Sequence, residues 1–137
     1  MKLNQDCIRS VLIYLESVPY IKVNDDGGAV FSDVSVRKMY DRLPDYTKED
    51  VCYSVFNLAQ AGYINASDHA RDNAMHSTVN YITYTGHEFL ESIRDDSRWK
   101  NIKKCLGAVR SYSLSAMSAV AEGITGAAIS KLFPSDS

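Results

Sequence analysis

The stretch Thr47-Lys-Glu-Asp-Val-Cys-Tyr-Ser-Val-Phe-Asn-Leu-Ala-Gln-Ala-Gly-Tyr63 decides how this chain folds. Its apolar residues Val51, Val55, Leu58 and Ala59 recur at helical spacing, which predicts a helix with one buried stripe. Thr47, with Asp50 three residues on, approximates a capping box. Gly62 is free to take the left-handed conformation that stops a helix. A strand is then expected over 63–66, a polar tip over 68–77 and an alternating strand over 78–84. In that second strand Val79, Tyr81 and Thr83 would share one face, with Asn80, Ile82 and Tyr84 on the other. Thr85-Gly-His-Glu88 reads as a second capping box, launching Phe89, Leu90 and Ile93 toward the core. Helix, strand, polar tip, strand is the order of a winged helix-turn-helix.

Upstream, Asn4 can cap a helix over 5–18 with Ile8, Val11, Leu12 and Leu15 on one stripe, and Pro19 ends it. Asp25-Asp26-Gly27-Gly28 is a turn signal between Tyr20–Val23 and Ala29–Phe31, which suits a hairpin or two edge strands. A short helix over 36–43 follows, with Ser35 as its cap. Downstream, Asp95-Asp96-Ser97 marks the start of a helix over 97–109, with Trp99, Ile102, Leu106 and Val109 on its apolar face. A last helix over 114–133 sets Leu114, Met117, Ala121, Ile124, Ala128 and Leu132 in register. The expected architecture is α+β: a winged helix-turn-helix domain over 1–96 with two additional C-terminal helices over 97–137. The final stripe is expected to pack or to self-associate, giving a homodimer. Its run from Leu114 to Ile129, with Glu122 as the one charge, is shorter than the roughly 20 residues of a membrane span, so no membrane contact is expected.

The chain has 137 residues, 45% of them hydrophobic and 23% charged, which suits one ordinary globular unit. A net charge of -2 and a pI near 5.9 argue against coating nucleic acid by bulk electrostatics. Between residues 36 and 63 the four basic residues cancel the four acidic ones, whereas residues 97–110 hold five basic residues and no acid. Cys7, Cys52 and Cys105 lie far apart in predicted helices, as reduced cysteines of a cytoplasmic protein would.

The exposed face of the 47–61 helix would show Lys48, Glu49, Tyr53, Ser54, Asn57 and Gln60. Asn and Gln can pair with base edges, and Tyr and Ser can contact phosphate. Arg71 on the wing and Arg98, Lys100, Lys103 and Lys104 on the later helix complete the candidate set for DNA or a protein partner. The same residue types also make ordinary solvated faces. No catalytic residues, cofactor or metal site are expected: His69 and His76 read as loop residues, and Glu88 as a cap rather than an acid or base.

The opening Met1-Lys-Leu-Asn-Gln-Asp-Cys-Ile-Arg9, the segment Leu58-Ala-Gln-Ala-Gly-Tyr-Ile64 and the block Thr83-Tyr-Thr-Gly-His-Glu-Phe-Leu90 are distinctive. Together with Ile93-Arg-Asp-Asp96, Trp99 and Lys103, they resemble domain-of-unknown-function family 2513. The resemblance implies a winged-helix-like fold in a phage, prophage or bacterial-host context, and it carries no catalytic residues. Two functions are therefore expected as alternatives. One is a small phage-type DNA-binding regulator; the other is a phage protein that binds a host or defence protein without touching DNA.

Overall fold

The structure is a computed structural model that describes residues 1–67 and 73–123. Asn4 caps α1 (Gln5–Ser17) by accepting the Cys7 amide, and its stripe Cys7, Ile8, Val11, Leu12 and Leu15 is fully buried. Each such side chain contributes about 1.5–3 kcal/mol of burial, which makes this helix the centre of the core. After Pro19 the chain forms the hairpin β1 (Ile21–Val23) and β2 (Ala29–Phe31), turning through Gly27 at φ +88°. The short β3 (Val34–Ser35) then runs into α2 (Val36–Arg42), capped by Ser35.

The deciding stretch forms α3 (Lys48–Gln60), with Thr47 accepting the Asp50 amide and Gly62 at φ +80° after its end. Next come β4 (Ile64–Ser67), a 3-10 turn at Ala74–His76 and β5 (Thr78–Ile82). Strands β3, β5 and β4 make one antiparallel sheet in that order. Three helices close the described chain: α4 (Tyr84–Ile93), α5 (Asp96–Val109) and α6 (Leu114–Ala121). The class is α+β, and one hydrophobic cluster runs from Cys7 to Ala121.

Three local readings change. The strict alternation expected of β5 fails because Asn65 pairs with Tyr81 but Ala66 pairs with Val79. Asn80 is therefore an extra residue, a bulge that lets Val79 and Ile82 both face the core. Its amide is satisfied by Asn65 Oδ1 at 2.7 Å and Ser67 Oγ at 3.2 Å. The cap of α4 is Thr83, whose hydroxyl accepts the Gly86 amide, so Thr85 and Glu88 do not form the expected capping box. Val109 is the last residue of α5 and 39% exposed, next to Arg110, which closes that helix in the left-handed conformation.

The corner between α3 and α4 is tight. Thr83 and Thr85 both donate to the Gly62 carbonyl, at 2.5 and 3.1 Å, and the Tyr63 ring stacks on Phe89 at 4.7 Å. A Cβ at position 86 would lie 1.9 Å from the Tyr63 carbonyl oxygen. Backbone cannot yield as a side chain can, so Gly86→Ala is expected to cost about 3 kcal/mol or more. Chemical denaturation measures this; a midpoint within error of the parent would show that the corner is looser than described.

Candidate functional site

The outward side of α3 holds a groove rather than a polar face. Glu49, Cys52, Tyr53, Phe56, Ala59 and Gln60 form one wall, with Val36, Ala66, Ser67, Ala74 and Ser77 opposite and beneath. The groove encloses about 600 Å³ and is mostly apolar. Phe56 is 50% exposed there, and the Cys52 thiol donates to Met75 Sδ at 3.5 Å. Burial pushes the Cys52 thiol above its ordinary value, with Glu49 adding to the effect, so it stays a thiol.

The residues expected to read DNA are dispersed by this arrangement. Lys48 is exposed, but its ammonium lies 5.7 Å from the centre of the Tyr40 ring. Tyr53 is half-buried in the groove wall, and Gln60 sits exposed at its rim. Ser54 is not on this face: it is 1% exposed and turned into the core, because it lies only about 60° round the helix from Val51. Asn57 is half-buried and spends its amide on the Tyr53 carbonyl at 2.8 Å. Arg71 lies outside the described residues.

The basic set on α5 is also partly spent. Lys103 binds the Asp6 carboxylate at 3.0 and 3.2 Å, and Arg98 donates to the Ala121 carbonyl at 2.6 Å. Lys100 and Lys104 remain exposed. The stripe expected to meet a second copy is turned inward as far as it is described. Leu114, Met117 and Ala121 are buried in the chain's own core, where α6 packs on α4 and α5. Ile124, Ala128 and Leu132 lie outside the described residues. Among the described residues no helix is long and apolar enough to cross a membrane.

Sequence reasoning missed Phe56 and Cys52. The signal was present: at about 100° per residue Phe56 lies about 140° from Val51, an aromatic on the side away from the core stripe.

A second constellation joins α1 to the corner between α4 and α5. Arg9 donates to the Ile93 carbonyl at 2.8 Å, to the Arg94 carbonyl at 2.5 Å and to the Asp96 carboxylate at 2.7 Å. Its guanidinium also lies 5.8 Å from the centre of the Trp99 ring. Asp6 accepts from the Trp99 indole at 2.9 Å as well as from Lys103. Arg94 forks onto both oxygens of Glu16. Desolvation acts to raise Asp6, but the hydrogen bonds from Trp99 and Lys103 and the charges of Lys103 and Arg9 outweigh it. The net effect holds its carboxyl below the ordinary 3.8.

The sequence profile of the family described as "Hypothetical protein (DUF2513)" matches residues 2–113, most of the chain. The chain belongs to domain-of-unknown-function family 2513. A curated "Uncharacterized protein" of Haemophilus influenzae is similar, 32% identical over 125 residues that cover 90% of this chain and 95% of that protein. No solved structure matches the chain. The stretches by which the chain resembles family 2513 prove to touch one another: Asp6 and Arg9 meet Ile93 to Lys103, and Gly62 and Tyr63 meet Thr83 to Phe89. In this member they build the scaffold.

Two measurements test that clamp. Arg9→Met, which keeps the stem but removes the donors to two carbonyls, is expected to cost about 2–3 kcal/mol in unfolding free energy. Asp6 has a folded pKa below its unfolded value, so its contribution is complete above about pH 5. It is lost as pH falls through the folded value below 3.8. Asp6→Asn should therefore flatten the fall of Tm with acid below pH 4; an unchanged acid slope would remove Asp6 from the clamp.

Proposed function

We propose that this member of family 2513 is a non-enzymatic, winged-helix-type binding protein whose working surface is the α3 groove and whose partner is a protein. The winged-helix reading rests on the order α1, β3, α2, α3, β4, β5, with the β1–β2 hairpin inserted between α1 and β3, and on the sheet order β3-β5-β4. The single observation that favours a protein over DNA is the apolar groove where a DNA-reading helix would carry donors and cations. Among the described residues the only charged side chain in its lining is that of Glu49, which repels phosphate. Half-exposed aromatic side chains in apolar depressions are the usual anchors of protein interfaces.

The reading places the protein in the cytoplasm of a bacterial host, in the phage or prophage setting that the sequence resemblance implies. The DNA-binding regulator remains the second reading, and the exposed Lys100 and Lys104 on α5 favour it. Electrophoretic mobility of pooled duplexes at about 50 mM salt separates the two readings. The protein-binding reading expects no retarded band, and expects Phe56→Asp to cut recovery of a stoichiometric partner on the order of tenfold or more at unchanged Tm. A band whose affinity falls steeply with salt, and is lost in the Lys100→Glu, Lys104→Glu double variant, would install the regulator instead.

A further inference from the structure

We infer that the α3 groove holds an amphipathic helix of the protein partner, with its apolar face on Phe56 and a Lys or Arg on Glu49. The inference rests on the protein-binding reading above and adds the chemistry of the occupant.

The groove wall from Glu49 to Gln60 follows one ridge of α3 and is about 16 Å long at 1.5 Å per residue. That length matches three turns of a second helix, which presents residues i, i+3 or i+4, and i+7 to a groove. The apolar part of the lining includes Val36, Val55, Phe56, Ala59 and Ala66, which reward apolar contact rather than main-chain pairing.

Strand addition is disfavoured at the neighbouring edge. β4 is the outer strand of its sheet, but it is only four residues long and its pairing shifts between Asn65 and Ala66, opposite the bulged Asn80 of β5. Short edges are poor templates for a further strand.

Charge narrows the occupant further. Glu49 is exposed, lines the groove and has no ion-pair partner among the described residues. Lys48 beside it lies over the Tyr40 ring. Exposed Asp41 and Asp45 precede it in the chain, but so do exposed Arg37, Lys38 and Arg42, so among the described residues Glu49 is the one charged side chain at the groove itself. A carboxylate bordering an apolar groove favours a cation from the partner and turns away anionic occupants.

Site-specific photo-crosslinking tests the inference in the full-length protein. Phe56 is replaced by p-benzoylphenylalanine, the protein is expressed in a bacterium that carries the gene, and crosslinked peptides are sequenced by mass spectrometry. The expected peptide has apolar residues at i, i+3 or i+4 and i+7, with a Lys or Arg within one turn of the crosslink. Glu49→Lys should lower the crosslink yield about tenfold, and replacing the partner's basic residue with Glu should restore it. Glu49→Gln, with an unchanged Tm, guards against misfolding and should lower the yield less.

An extended or unpatterned partner segment, or no effect of Glu49→Lys, would overturn the helix and leave the protein-binding reading standing. A crosslink to a second copy of this chain would also overturn the inference. A crosslink to nucleic acid, or none at all, would overturn the inference and the protein-binding reading together.

Discussion

The fold depends on how the polar residues of one helix are used. α1 is buried along its apolar stripe, and its remaining face is a set of hydrogen bonds to the rest of the chain. Asn4 reaches Asp50 at the start of α3, Gln5 reaches the Ser111 carbonyl, and Ser10 meets the Tyr46 hydroxyl. Above all, Arg9 satisfies carbonyls at the end of α4, which no further turn of that helix can reach. Asp6 then fixes Trp99 and Lys103 of the helix that follows. Left without Arg9, those carbonyls would be only partly solvated and the turn from α4 into α5 would lose its support.

This arrangement explains why membership of family 2513 says much about architecture and little about partners. The matching stretches are occupied with each other: a clamp at the α4–α5 corner and a close approach of Gly86 to the Tyr63 carbonyl. Of the residues that line the groove, Met1, Ala59 and Gln60 lie within the stretches that carry the resemblance, and Glu49, Cys52 and Phe56 lie outside them. A fold by itself does not fix what binds to it.

Much of the fold was legible because it is local. The caps Asn4, Ser35 and Thr47, the Gly27 turn, the Gly62 stop and the stripes of α1 and α3 all act within a few residues of themselves. The misreadings share a cause. Thr83 and Thr85 both have cap chemistry, and only the position of the Gly62 carbonyl beside them and the end of β5 at Ile82 decide which residue starts α4. The bulge at Asn80 is set by the side chains of β4 across from it. Lys103 and Arg98 look like free cations until Asp6 and the Ala121 carbonyl arrive from distant segments.

The candidate site shows the same division. By itself the sequence determined the helix 48–60, its core stripe and the near-neutral charge of its surroundings, since these follow from spacing and composition. Only the tertiary structure decided that Ser54 faces inward, that Leu114, Met117 and Ala121 serve the chain's own core, and that Phe56 stands over a groove. The physical reason is that periodicity tells which residues share a side of a helix. What that side meets depends on segments far along the chain, and burial exists only once they are in place.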